Sequence, residues 1–455
     1  MEGTSSPQDG VEEHGPVATI SPKLQRIAEL AREDPKRVLT TLAHHIDVKW
    51  LEEAYGRVRK DGAVGVDGRR ADEYARDLKK NLGQLLDRFK SGTYRAPPVR
   101  RVYIPKADGH KTRPIGIPTF EDKVLQKAVV MALEPVYEQD FLDCSYGFRP
   151  GRSAHQALER VWKGVMDMGG GWVLEVDIQS YFDTLEHGSL RAILDQRVRD
   201  GVLRRMIDKW LKAGVLEDGR RWHPEAGTPQ GGVISPLLSN IYLHEVLDTW
   251  FEHQVKPVLG APAFLVRYAD DFLIVFKSKR DAERALAVLP KRFGKYGLTL
   301  HPEKTRLVRF ERPPHRGEPR REDRPGTFYL LGFTHYWGRS VKGGWVVKRK
   351  TEKSRLKRAI RRIYLWCKRV QHVEIAKQHK ILCLKLEGHD AYYGITGNFR
   401  SLKLFRHGVH RAWKTWLSRR SRAQPKSWAW FNRVLLTYPL PRPRIVHSAC
   451  RAANP

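Results

Sequence analysis

Apolar positions change period several times along this chain, and each change marks an element. From 22 to about 89 they recur at helical spacing, as in LQRIAELA and WLEEAYGRV, broken by the glycine-rich KDGAVGVDG (60–68). Residues 97–118, PPVRRVYIPKADGHKTRPIGIP, alternate like two short strands around a polar turn, with Lys106 and Arg113 beside it. Residues 120–141 return to helical spacing and lead through the loop CSYGFRPGRSAHQAL into another helix. In 169–185 the short apolar run VLEV ends on Asp177 and is followed by the aromatic pair Tyr181 and Phe182. The stretch GTPQGGVISPLLSNIYLHEVLDTWF (227–251) joins a flexible loop to a helix. Ser235 can cap that helix, Pro236 suits its first turn, and Leu237, Leu238, Ile241, Leu247 and Trp250 form its apolar face. FLVRYADDFLIVF (264–276) predicts a hairpin with Asp270 and Asp271 at or near its tip. Helix, turn and strand follow to 310, then a strand pair over 328–337, and from about Lys348 a basic helical pattern with interleaved Trp and Tyr.

The order from 172 to 310 is a split βαβ arrangement on an antiparallel sheet, which makes the fold class α+β. The predicted divisions are a disordered N-terminus (1–22), a helical extension (23–95), a mixed segment (96–338) and a basic helical segment (339–455).

Charge narrows the function. The chain holds 83 Lys+Arg against 51 Asp+Glu, a net of +32, which points to a polyanionic partner and first to nucleic acid. Residues 340–455 alone carry 28 Lys/Arg against 4 Asp/Glu, with six Trp among them, the mixture expected for stacking and phosphate contact with structured RNA. Cys144, Cys367, Cys383 and Cys450 are scattered without zinc-ligand spacing, as expected of reduced thiols. No signal peptide or membrane-length apolar run is evident, so a soluble cytoplasmic protein without a membrane partner is expected.

Two adjacent carboxylates repel each other and are costly away from water unless a cation compensates them. By itself an Asp-Asp turn is compatible with a plain solvated turn, and a lone Asp at a strand end with a cap. If the end of the 173–177 strand lies beside the hairpin tip, however, Asp177, Asp270 and Asp271 meet, and an all-oxygen site of this kind suits Mg²⁺. Two such ions about 3.5–4 Å apart support in-line nucleotidyl transfer. Gly231-Gly232 would let backbone approach a ligand closely.

VDIQSYFD, GTPQGGVISPLLSN, YADD, LTLHPEKT and LLGF, in this order, resemble the successive blocks of a reverse transcriptase of the group II intron-encoded type. GAVGVDG, IPKADGHKTRPIGIPTFEDKVLQKAV and SYGFRPGRSAHQAL resemble its earlier blocks; GHDAYYGITGNFRSL, WLSRRS and PLPRPRI resemble its thumb and maturase region. The resemblance implies a right-hand polymerase fold, with fingers and palm over 96–338 followed by an α-helical thumb and RNA-binding maturase domain. It implies that Asp177, Asp270 and Asp271 are catalytic and, with the carbonyl of Ile178, hold two Mg²⁺ ions. It also implies that Lys106 and Arg113 grip the incoming dNTP, that Gln230 touches the new base pair and template, and that Lys304 protonates the leaving pyrophosphate. The LLGF turn around Gly332 would be the primer grip. Tyr181 and Phe182 both fall near the family's steric gate against the 2′-hydroxyl; spacing does not choose, and Tyr181 is preferred. The implied partners are group II intron RNA, a DNA primer or target, and dNTPs. Without Cys pairs after 340, no C-terminal HNH endonuclease is expected. The alternatives are a domesticated relative acting in defence or repair, an RNA-binding splicing factor with vestigial polymerase activity, and a metal-dependent sugar transferase, which leaves both +32 and PQGG unexplained.

Overall fold

The computed structural model describes residues 22–105, 112–217, 220–222, 227, 231–314, 324–420 and 426–447. The expected disordered stretch up to residue 21, Lys106, Gln230 and Cys450 lie outside these residues. The described residues divide into two compact units, one within 22–164 and 171–307, the other within 165–170 and 308–447. Mixed helix and sheet make the class α+β.

The first unit is organised around the helix Phe120–Asp140. Val124, Leu125, Ala128, Val129, Ala132, Leu133 and Val136 are all at 0% exposure, because a helix apolar on every side can only be a core element. Thr119 caps it by accepting from Asp122 N. The predicted helical extension is present as Pro22–Glu33, Val48–Arg57 and Leu78–Ser91, with Pro22 already in the first helix. It shares one core with the central helix rather than standing apart, and Trp50 Nε1 donates to Ala128 O at 3.0 Å.

Two sheets belong to this unit. Strand β1 (Val99–Pro105) pairs antiparallel with β2 (Thr112–Ile117), as the alternation predicted. The second sheet contains β3 (Gly170–Val176). On the outer side of β1, β4 (Val215–Glu217) is parallel to it and pairs with β5 (Arg220–Trp222). Strands β6 (Ala263–Tyr268) and β7 (Asp271–Phe276) form the predicted hairpin, and β7 also pairs antiparallel with β3. A fourth strand, β8 (Arg306–Glu311), completes the order β6-β7-β3-β8.

The 227–251 helix begins differently from expectation. Ile234 occupies the cap position and Ser235 is the first helical residue of Ser235–Leu243, with Pro236 in the first turn. The helix then widens into π turns over His244–Thr249 and Phe251–Val255.

In the second unit, β9 (Phe328–Leu330), β10 (Phe333–Arg339) and β11 (Trp345–Thr351) form an antiparallel sheet. The expected onset of helix at Lys348, and the boundary at 338/339, are therefore wrong. WVVKRKT is a strand whose alternate residues Val347, Arg349 and Thr351 point inward, a period of two hidden by its basic residues. Helices Lys353–Arg369, Ile375–Tyr393, Phe399–Ser418 and Trp428–Thr437 follow, around a core of Leu382, Leu386, Phe405, Val409, Trp413 and Phe431. Asn398 ties them to the sheet by accepting from Thr351 N and donating to Thr351 Oγ1, each at 2.8 Å. The LLGF turn has positive φ at Leu331 (50°) and Gly332 (81°), and Tyr392 braces it by donating to Leu331 O at 2.8 Å.

His335 on β10 is fully buried, stacked on Phe328 at 4.5 Å. Burial, with Arg349 nearby, pushes its pKa down to about 3. The unfolded chain takes up this proton below about pH 6.5 and the folded one does not, so stability falls as pH drops from about 6.5 towards 3. The expected loss is about 3 kcal/mol at pH 4. Thermal unfolding followed from pH 7 to 4 should show this loss, and His335→Phe should flatten it.

Candidate active site

The ladder between β3 and β7 runs from Trp172↔Phe276 to Val176↔Phe272, so the same register carried one residue further sets Asp177 opposite Asp271. On the other side of β7, Asp271 pairs with Tyr268. Asp270 and Ala269 form the two-residue turn between β6 and β7, with Asp270 half-buried and Asp271 exposed. The three carboxylates predicted from the sequence thus come from one turn and the strand end beside it.

Their electrostatics are those of an acidic site short of positive charge. Burial pushes the Asp270 carboxyl above its ordinary range, and the negative charge of Asp177 adds to the rise; Arg113 and Arg267 pull it down. Lys304 Nζ lies 3.1 Å from Asp177 Oδ2, and both groups are solvent-accessible. Among the described residues no three His, Cys or carboxylate side chains close on one point as a metal site would. The donor chemistry nevertheless fits a hard divalent cation, since it is all oxygen and gathers like charges that a cation would offset.

The residue after Asp177 is fixed by a bridge of its own. Ile178 bridges to Leu300 through Gln179 N–H to Thr299 O and His301 N–H to Asp177 O, both 2.8 Å. In such a pair the carbonyl of Ile178 itself faces away from the partner strand.

The two aromatic candidates separate clearly. Ser180, at φ 49°, starts the short helix Tyr181–Thr184. Tyr181 is 2% exposed and its hydroxyl donates to Ser239 O at 3.0 Å, whereas Phe182 keeps part of its ring accessible. The preference for Tyr181 as the sugar-facing ring is therefore reversed: adjacent residues on a helical turn point in different directions, and Tyr181 is the one spent on the core.

Arg113 is exposed on β2, opposite Ile104. Next to this strand the glycine loop closes tightly: a Cβ on Gly231, at φ +108°, would lie 2.6 Å from Gly116 O. The loop's exit is anchored where Ile234 N donates to Gln126 Oε1 at 3.3 Å. Gln126 in turn donates to Asp122, which also accepts from Trp210 Nε1 (2.7 Å) and Tyr94 hydroxyl (3.0 Å). Burial outweighs these bonds and pushes the Asp122 carboxyl up to about 6.

One group that holds the acidic turn was not anticipated from the sequence. Arg267, three residues before Asp270, has 0% exposure. Its Nε and Nη2 donate to Asp248 Oδ1 and Oδ2 at 2.8 and 2.5 Å, and Nη1 donates to Asn240 Oδ1 at 2.9 Å and Ala269 O at 3.1 Å. Asn240 passes the contact on by donating to Gly147 O at 2.7 Å. Residues eight apart in an α-helix differ by about 80° in facing. The wider π turns after His244 bring Asp248 back towards the face of Asn240. The sequence shows the residues, an Arg inside FLVRY and an Asn and an Asp on the helical stretch before it, but not their pairing.

The family model described as reverse transcriptase (RNA-dependent DNA polymerase) matches residues 104–335, just over half the chain. Protein YkfC of Escherichia coli is 36% identical over 329 residues, 63% of this chain and 84% of YkfC. The group II intron-encoded protein LtrA of Lactococcus lactis is 38% identical over 227 residues, 49% of this chain and 37% of LtrA, so the match spans well under half of that relative. Nuclear intron maturase 2, mitochondrial, of Arabidopsis thaliana is 30% identical over 177 residues, 30% of this chain and 24% of that protein.

An Arg–Asp pair at zero exposure tolerates loss of both charges better than loss of one. Arg267→Met or Asp248→Leu alone should cost about 3–5 kcal/mol of unfolding free energy, and the double variant distinctly less than their sum. Denaturant titration of the four proteins of the cycle measures this.

Proposed function

Because the chain belongs to the reverse transcriptases, of the group II intron-encoded type, we propose that it is an RNA-directed DNA polymerase that also binds its intron RNA as a maturase. The observation that supports the reading is the β3–β7 register, which ends at Val176↔Phe272, one residue short of Asp177 and Asp271, with Asp270 in the adjoining turn. The right-hand description follows the same reading, with fingers and palm followed by a basic helical thumb.

Reverse transcriptases use divalent metal ions, and we assign two Mg²⁺ to Asp177, Asp270, Asp271 and the Ile178 carbonyl. Bound there, the ions would polarise the attacking hydroxyl and neutralise the leaving group. In the displacement the primer 3′-oxygen forms a bond to the α-phosphorus of a dNTP as the bond to pyrophosphate breaks. Arg113, exposed and close enough to Asp270 to shift its pKa, pairs with the triphosphate. Lys304, already beside Asp177, gives positive charge and a proton to the pyrophosphate. The half-buried Phe182 ring packs against the sugar and excludes a 2′-hydroxyl. By resemblance alone, Lys106 shares the triphosphate, Gln230 contacts the template, and the turn around Gly332 grips the primer.

The maturase part of the reading is supported by the second unit's helices. Along Lys353–Arg369, Lys353, Arg355, Lys357, Arg361, Arg362, Lys368 and Arg369 are exposed apart from the buried Ile363 and Cys367. Such a face would lose affinity for structured RNA steeply with salt.

Primer extension on an RNA template with Mg²⁺ tests the main claim. Asp270→Ala and Asp177→Asn should each lose several kcal/mol of transition-state stabilisation, about a thousandfold in rate. Wild type no faster than Asp270→Ala would sink the reading. Phe182→Ala should raise incorporation of ribonucleotides at least about tenfold, a selectivity within reach of one removed clash. Tyr181→Phe, which loses only the bond to Ser239, should leave sugar selection unchanged.

A further inference from the structure

The loop between helices Phe120–Asp140 and Ala154–Met168 carries a residue that contributes little to the fold and yet is held under strain. Phe148 is 60% exposed, more than any other aromatic side chain among the described residues. Its φ is +55°, a conformation that costs an L-residue with a bulky side chain and is found chiefly where surroundings enforce it. Those surroundings are on either side of it. Gly147 lies so close to the catalytic turn that a Cβ there would meet Ala269 N at 2.3 Å, and its carbonyl is fixed by Asn240. Arg149, 5% exposed, donates from Nε and Nη2 to Glu138 and from Nη1 to the carbonyls of Leu142 and Ser145, each at 2.9 Å for the latter two. With both neighbours pinned, Phe148 can only point outward. Its ring centroid lies 6.4 Å from that of Tyr268, the residue opposite Asp271.

An exposed ring buries too little surface to offset its backbone strain, so packing does not account for it. Its place does: an outward-facing aromatic platform beside the carboxylates, in a protein of net charge +32. Base stacking on such rings is tolerant of sequence, as a copying enzyme requires. We propose that Phe148, with Tyr268, is a contact residue for the primer–template duplex, its ring packing against a nucleobase next to the catalytic turn. The proposal rests on reading the acidic site as a polymerase centre.

The test uses the full chain, a fluorescently labelled DNA primer annealed to an RNA template, and the variants Phe148→Gly, Phe148→Ala and Phe148→Tyr. Phe148→Gly and Phe148→Ala should weaken duplex binding and raise the primer–template KM about tenfold. The KM for dNTP should stay unchanged, and Phe148→Tyr should match wild type. Phe148→Gly removes the ring and the φ penalty together, so its Tm should equal or exceed that of wild type while binding falls, an outcome a merely structural ring would not give. Equal duplex binding by all four proteins overturns the proposal. So does a loss of Tm in Phe148→Gly that parallels its loss of binding. If wild type binds the duplex but does not extend it, the polymerase reading fails, and the binding comparison still decides the contact.

Discussion

The guanidinium of Arg267 is always charged, and it lies where no water reaches it. Everything around the acidic turn is arranged by the need to match it. Asp248 supplies the charge in a bidentate contact, and Asn240 and the Ala269 carbonyl take the remaining fork. Because the fork is planar and rigid, these partners are fixed relative to one another. The helix after the glycine loop, the loop before Phe148 and the turn bearing Asp270 are therefore tied together by one set of hydrogen bonds. The π turns in that helix are part of the same requirement, since a regular helix would turn Asp248 away.

The charge pattern above this pair is the reverse of the pattern below it. Below, one cation is matched by one anion out of solvent; above, Asp177, Asp270 and Asp271 gather negative charge at the surface of a strongly basic protein. Burial first, and the charge of Asp177 with it, raises the Asp270 proton affinity; Arg113 and Arg267 reduce it, while Lys304 pairs with Asp177. A site of this kind is poised for added cations and for a polyanion that brings them, which is how nucleotide triphosphates travel.

Much of this was legible in the residue pattern, for physical reasons. Strand alternation and a two-residue acidic interruption define a hairpin whatever lies around it, and VLEV ending on Asp177 gave the neighbouring strand. Three features were not legible. Tyr181 and Phe182 are adjacent, and only the fold shows which of them is buried, with its hydroxyl donating to Ser239 O. Arg267 reads as a polar alternate of a half-exposed strand, because the sequence does not reveal that the sheet is covered on both faces. From Lys348 the strand Trp345–Thr351 reads as the start of a basic helix, because its inward residues include Arg349, a buried arginine that no apolar pattern anticipates.

Strain gives a last link between these parts. Among the described residues, four other than glycine have positive φ: Phe148, Ser180, Ala269 and Leu331. Three of them flank the acidic site, at the loop, the helix start and the turn; the fourth sits in the LLGF turn of the other unit. Each αL residue costs about 1–2 kcal/mol, so none persists without something that over-determines it. For Ala269 this is the Arg267 contact and the close approach of Gly147; for Leu331 it is the hydroxyl of Tyr392. A two-residue hairpin turn needs positive φ at its first position to follow the strand twist, and glycine would satisfy that without cost. Alanine there accepts the strain, and with it loses the freedom glycine would have kept. The buried ion pair is thus the source of rigidity for the turn, and the turn converts that rigidity into a fixed position for the carboxylates.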